Sequence, residues 1–386
     1  MTVNVSKPAI NVREKLAELD KPTGIAGEAM LRAETPQEQF NLVGAGRRNL
    51  LINGAMQVAQ RGTSFTSTGY TLDRFTYDKA STDEFAATIT QSSDSPNGFA
   101  SSLKVDVTTA ESTLATDEYV RIIHKIESQD LQPLAYGTSE ARSITLSFWV
   151  KSSVTGTYAM SIYMFDGGGD TIGSTYTINS ANTWEYKTIT FAGNEAAAIA
   201  NDNTAGFFLN FILLAGSAYT SSDNTTWGTY TGSKLAYGHE ANFGFSTSDD
   251  FYFTGVQLEV GKVATPFEHR SYGEELAACQ RYTYNYLFGG TASNSGTEVY
   301  RYYSTVNAYS SRLQFPVTMR AEPTGTVGST PLIHAPVNNG NVGGSISFQM
   351  ATEQSVTLQC SPATDYGANQ YTIILNTGNV IFDAEL

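Results

Sequence analysis

The sequence predicts a mainly β protein: a short helical N-terminal arm, a jelly-roll β-sandwich, and a second, distal β-sandwich-like domain. Three observations predict this. Apolar residues alternate with polar ones over several short runs. Clusters of Gly, Asn, Asp and Ser separate those runs. The composition also favours strands: 22 Tyr and 20 Phe stand among 386 residues of which 16% are charged, where about a quarter is usual. Aromatic side chains suit strands, and the abundant uncharged hydroxyls and amides suit exposed sheet faces. A hydrophobic content of 41% is that of a folded chain, and the length allows two or three cores.

Residues 1–46 form the arm. Ten charged residues fall between Arg13 and Glu38, and aromatics are nearly absent. Asn11 caps a short helix with Glu14 completing the capping box, and Pro22 stops it. Thr35, Pro36 and Glu38 start a second helix in the same way. Val12, Leu16 and Leu19 share a face of the first, and Phe40 and Leu42 give the second an apolar patch. Neither helix is long enough to hold itself together in water. The arm therefore needs a surface to dock on.

Residues 47–272 form the sandwich. Ser143–Val150 places Ile144, Leu146, Phe148 and Val150 on one face. Gly156–Phe165 and Glu185–Phe191 alternate similarly. Phe207–Leu214 is nearly all apolar, as expected of a strand buried on both sides. Asp166–Asp170 (DGGGD) opens no helix and reads as a tight turn rather than a phosphate loop. Phe251–Glu259 is the closing strand, and Pro266 keeps the chain extended beyond the turn at Gly261.

Residues 273–386 comprise a connecting helix, running from about Tyr272 to Tyr282, and the distal β domain. Glu298–Tyr303, Arg312–Val317, Ser345–Met350, Val356–Gln359 and Gln370–Leu375 are its strand candidates.

Several of these segments resemble known virion proteins. Asn49–Gly62 (NLLINGAMQVAQRG) and Gly255–Tyr284 (GVQLEVGKVATPFEHRSYGEELAACQRYTY) resemble the opening and closing segments of jelly-roll modules in bacteriophage tail fibres and other virion appendages. Phe315–Pro323 (FPVTMRAEP) and Val380–Leu386 (VIFDAEL) resemble a strand-and-turn phrase and the last strand of distal domains in phage tail proteins. The arm is similar to phage attachment regions. The resemblance implies a surface protein of the virion, assembled in the host cytoplasm as a homotrimer. Residues 1–46, through Val12, Leu16, Leu19, Phe40 and Leu42, would dock on a phage tail or capsid protein. The β domains would contact a host surface glycan or protein. A tail fibre and a capsid decoration or head fibre both fit this layout.

Charge and motifs exclude other classes. A net charge of −14 disfavours nucleic acid, whose binding rests on cationic contacts to phosphate. No run of about 18 apolar residues spans a membrane. The start lacks the apolar core of a signal peptide, and Cys279 and Cys360 make no disulfide framework. No G-x-S-x-G, H-E-x-x-H or P-loop motif occurs. His124, His239, His269 and His334 are scattered without metal-ligand spacing, and read as surface or strand residues. Asp166, Asp170, Asp249 and Asp250 read as solvated turn carboxylates. The expectation is a non-enzyme with no cofactor and no metal. Sugar contact, if present, calls for exposed aromatic rings. Trp227 and Tyr230, in the loop-like NTTWGTYTG, are candidates, with ordinary loop packing as the alternative. Tyr303 and Tyr309 are the distal candidates. Trp149 and Trp184 fall in or beside strand patterns and read as core.

Overall fold

The alternating runs pair as antiparallel ladders in every strand contact among the described residues. The computed structural model describes residues 47–80, 84–288, 301–302, 308–327, 332–335, 340–362 and 378–386. The expected arm, with Val12, Leu16, Leu19, Phe40 and Leu42, lies outside them, as do Tyr303 and the strand candidate Gln370–Leu375.

Among the described residues, thirteen strands build the sandwich: β1 (Ser64–Phe65), β2 (Gly69–Tyr70), β3 (Phe75–Ala80), β4 (Ala86–Ser92), β5 (Ser102–Thr109), β6 (Tyr119–Glu127), β7 (Ile144–Ser152), β8 (Gly156–Met164), β9 (Asp170–Ile178), β10 (Glu185–Phe191), β11 (Ala205–Ala215), β12 (Gly228–Thr229) and β13 (Asp250–Val260). One sheet runs β1-β4-β5-β13-β7-β10, and the other runs β12-β9-β8-β11-β6-β3-β2. This is a jelly-roll sandwich, as the alternation requires. Inward residues of the two sheets meet in one aromatic-rich core. Phe148 of β7 lies 5.5 Å from Phe211 of β11, and Phe253 of β13 lies 5.1 Å from Phe211 and 5.7 Å from Phe75 of β3. All four rings are fully buried. Edge-on and offset contacts at such distances add to the burial itself.

The opening and closing segments meet. Asn49 donates through Nδ2 to the Val256 carbonyl at 3.0 Å and accepts the Leu258 amide at 3.1 Å. These bonds sit at the register shift of β13 between Thr254 and Gln257. Gly54 lies so close that an added Cβ would overlap the Val256 carbonyl oxygen, which explains the glycine. Asn53, at φ 61°, closes the same loop with its side chain: Oδ1 accepts the Val58 amide and Nδ2 donates to the Val58 and Asp73 carbonyls.

Two short α-helices follow β11 and β13: α1 (Ser217–Thr220) and α2 (Tyr272–Gln280). The second is the expected connector. Its capping box joins Ser271 and Glu274, and the helix buries Glu275 and Cys279. The Glu275 carboxylate accepts the Asn53 amide, and Cys279 packs with Ile52, Val58 and Tyr282.

Beyond it lie β14 (Thr283–Phe288), β15 (Arg301–Tyr302), β16 (Ala308–Gln314), β17 (Thr324–Val327), β18 (Leu332–Ala335), β19 (Gly340–Gln349), β20 (Ser355–Pro362) and β21 (Gly378–Asp383). They form sheets ordered β14-β21-β17 and β15-β16-β20-β19-β18. Phe315, Met319, Val356, Leu358, Val380 and Phe382 make their own core. Tyr309 sits in β16 opposite Arg301 and Gln359.

This region is tied to the sandwich by charge. Arg61 pairs with Asp383 at 3.0 Å and Glu385 at 3.2 Å, and the buried Arg74 also pairs with Glu385. Arg281 grips Glu127 with two bonds of 2.8 and 2.9 Å. Residues 49–386 accordingly hold together as one compact unit.

Candidate functional site

Trp227 and Tyr230 flank the two-residue strand β12, which pairs with β9 at the edge of the seven-stranded sheet. Three residues of separation in extended chain put their side chains on opposite faces. Trp227 turns toward the sandwich interior, 5.7 Å from Tyr136 and 6.2 Å from Phe207, and donates its indole N–H to the Ala192 carbonyl at 2.7 Å. Tyr230 turns outward and lies 4.7 Å from Tyr163. The sequence treats the two as one candidate; the fold separates them.

Tyr230 belongs to an aromatic row on the outer face of the seven-stranded sheet. Tyr163 of β8 stands opposite Phe208 of β11, which stands opposite Lys125 of β6. The Tyr163 and Phe208 rings are 5.9 Å apart, and Phe165 lies nearly parallel to Phe208 at 5.3 Å. Phe165 is 55% exposed and carries the row to the solvent. Along the same face, Arg121 donates to Asp78 at 2.8 Å and to the Asn210 amide oxygen at 3.2 Å. Tyr119 donates to the same Asp78 carboxylate at 3.1 Å. Burial raises the Tyr230 phenol above its ordinary pKa, and burial lifts Tyr119 to about 12, with Arg121 opposing. Both therefore remain neutral hydroxyls over the physiological range. A ring row beside the partly exposed Arg121 and Asp78, with Asn210 buried behind and holding Arg121, offers apolar faces for sugar C–H groups and a donor and an acceptor for hydroxyls.

The segment after β11 frames this platform. Leu235 and Ala236 pack on Ala159 and Ile212 of the outer face, with Tyr119, Tyr219 and Tyr230 around them. The expectation that Phe207–Leu214 is buried on both sides thus holds for Asn210 and Ile212, which are covered. It fails at Phe208, which is only partly buried. Asn210, a lone amide in an apolar run, is a signal that the reading of Phe207–Leu214 as simply apolar passed over. Arg121 and Asp78 carried none, because only strand pairing brings β3, β6 and β11 together.

Trp227 lines a different feature, a cleft of ≈ 810 Å³ at the sandwich edge, with Asp170, Asn194, Glu195 and Thr225 among its other walls. Asn194 donates to Asp170 at 2.9 Å and accepts the Ala196 amide at 3.0 Å.

Other expectations are corrected. Trp149 and Trp184 are not in the inter-sheet core; both lie on the outer side of the six-stranded sheet. Trp149 packs against Tyr186 at 5.3 Å, and Trp184 donates to Asp94 at 3.1 Å. The alternation that turns Phe148 and Val150 inward necessarily turns Trp149 out. Asp249 is buried, not solvated, accepting the Gly244 and Ser246 amides. Asp166 is a turn carboxylate, as expected, and accepts the Ala200 amide at 2.7 Å. His124 is a strand residue, as expected, on β6; its ring is buried, 3.0 Å from the Ile52 carbonyl. Among the described residues no group of three His, Cys, Asp or Glu side chains is placed to hold a metal.

No protein-family model matches the chain, and no curated protein sequence matches it. Among solved structures, the enzymatically active domain of bacteriophage CBA120 tailspike protein 4 overlaps 55% of this chain and 21% of its own, at 15% identity and a TM-score of 0.30. The CBM22-1–GH10 modules of Clostridium thermocellum xylanase 10B overlap 65% of this chain and 34% of theirs, at 14% identity and a TM-score of 0.30. A family 11 carbohydrate-binding module from Clostridium thermocellum overlaps 54% of this chain and 98% of its own, at 10% identity and a TM-score of 0.26. Overlaps this slight assign neither ligand nor role.

Proposed function

We propose that the chain is a non-enzymatic, glycan-contacting component of a phage virion, a tail fibre that works as a homotrimer. One observation carries the glycan reading: the Tyr230–Tyr163–Phe208–Phe165 row beside the Arg121–Asp78 pair, which the buried Asn210 supports, on an outward sheet face. Isolated surface aromatics need no explanation, whereas a row with its polar partners already oriented matches what a sugar requires. The phage assignment rests on the resemblance of the opening and closing segments, together with the arm that the sequence of residues 1–46 leads us to expect. Threefold assembly would cover sheet edges and would add weak sugar contacts together.

The test is competition. The purified chain should slow adsorption of phage to host cells, and Tyr230→Ala or Phe165→Ala should weaken that competition without much change in melting temperature. A distal role for Tyr303 and Tyr309 is tested by the same assay with Tyr303→Ala and Tyr309→Ala. If the folded protein neither binds host cells nor slows adsorption, glycan contact fails. A labelled antibody that finds the chain on the head would then support capsid decoration instead.

A further inference from the structure

The cleft beside Trp227 lies across β12 from the aromatic row and has a different electrical character. At ≈ 810 Å³ it falls within the ~300–1,000 Å³ range of small-molecule sites. Trp227 forms one wall and is fixed there: Tyr136 and Phe207 brace the indole, and its N–H is committed to the Ala192 carbonyl at 2.7 Å. It can offer a ring surface but no donor. Asp170 is held in place by Asn194, whose own carbonyl oxygen is occupied by the Ala196 and Ala197 amides. Thr225 and Thr226 line it as well. The charged residues lining the cleft are Asp170 and Glu195, both acidic. The outer face, by contrast, carries Arg121 and Lys125.

We infer that this edge cleft is a second sugar subsite, selective for a neutral pyranose and closed to uronate- or sialate-type residues. A pinned aromatic plane takes the C–H face of the ring. The oriented Asp170 carboxylate accepts ring hydroxyls, and such charge-assisted bonds are the stronger kind. A sugar carboxylate would meet two like charges with no cation among the described residues lining the cleft, which costs affinity. The subsite does not depend on the outer-face reading, because no residue of the aromatic row lines it.

The chain has three tryptophans. Replacing Trp149 and Trp184 by Phe leaves Trp227 as the sole indole emitter. Titration with neutral gluco-, xylo-, manno- and galacto-hexasaccharides should shift its emission saturably for at least one sugar at millimolar concentration. Sialyllactose and a galacturonate hexamer should give no shift. Asp170→Asn should weaken the neutral sugar about tenfold, the worth of one charged hydrogen bond. Calorimetric titration of the chain with its native tryptophans, with and without Asp170→Asn, measures the same affinities if the Phe replacements disturb folding. Absence of a saturable response to every neutral sugar, equal binding of the acidic ones, or indifference to Asp170→Asn each overturns the proposal. Tyr230→Ala reports on the outer face and Trp227 emission on the cleft, so the two readings fail separately.

Discussion

The guanidinium carbon of Arg74 lies 3.4 Å from the centre of the Tyr282 ring, stacking a sandwich residue on the first residue beyond α2 and Arg281. Arg74 is 1% exposed and sits at φ 74°, in the left-handed region. Its charge is answered by Glu385, 3% exposed, and one of its N–H groups reaches the Lys125 carbonyl at 2.6 Å. The join between sandwich and C-terminal region therefore includes a buried ionic contact covered by an aromatic ring, beside the apolar cluster of Ile52, Val58, Cys279 and Tyr282.

Such a contact is costly to halve. Glu385→Ala leaves Arg74 buried without its carboxylate and removes a partner of Arg61. Breaking one side of a buried pair costs about 3–5 kcal/mol. Urea unfolding should show a loss of that order. A loss within error would mean that the two regions are not held by this pair.

His124 predicts an acid response. Burial, reinforced by Arg74, lowers its pKa to about 3, so the folded state keeps the ring neutral while the unfolded chain protonates near 6.5. Its contribution is present above pH 6.5 and is lost as pH falls toward 3, at up to about 1.4 kcal/mol per pH unit. Unfolding free energies measured across that window should slope accordingly. His124→Gln should flatten the slope, although it destabilises the protein at neutral pH.

Gly54 tests the meeting of the opening and closing segments. Gly54→Ala forces a methyl group into the Val256 carbonyl oxygen, a backbone atom that cannot swing aside. Overpacking of this kind costs about 1–3 kcal/mol, to be read as a lower urea midpoint at unchanged m-value. An unchanged midpoint would show that the two segments are not in contact there.

Removing residues 1–46 should leave a soluble, cooperatively melting protein that no longer joins virions. The two short helices expected from the sequence there would have no core of their own, so the β regions should fold without them. Collapse of the β signal in circular dichroism would contradict this.

Sedimentation equilibrium should give three times the 41.7 kDa chain mass. A symmetric closed assembly is the expected way to cover strand edges. Persistent monomer at micromolar concentration would remove the trimer.

The strands were legible because burial on one face writes period two into the residues. Ser143–Val150, Gly156–Phe165, Glu185–Phe191, Phe207–Leu214 and Phe251–Glu259 each correspond to a strand, β7, β8, β10, β11 and β13, with ends within two residues. The helix after Ser271 was legible in the run Tyr272–Tyr282, with Leu276, Ala277 and Gln280 along one side, and the capping box fixes its start. The site was half legible. Trp227 and Tyr230 stood out as aromatics in a polar stretch, but nothing in NTTWGTYTG says that β12 sends them to opposite faces.

What the sequence determined by itself is what neighbours along the chain can encode: strand positions, turns, caps, an acidic balance, and the absence of catalytic motifs. Strand order was left to tertiary structure. It set Asn210 beside Arg121 and Asp78, brought Phe208 against Tyr163, turned Trp149 outward, and buried Glu385 against Arg74 across 311 positions of chain. Period two fixes which residues share a face, but the ladder pairing that makes two faces into one surface depends on contacts between distant strands, which no local pattern records.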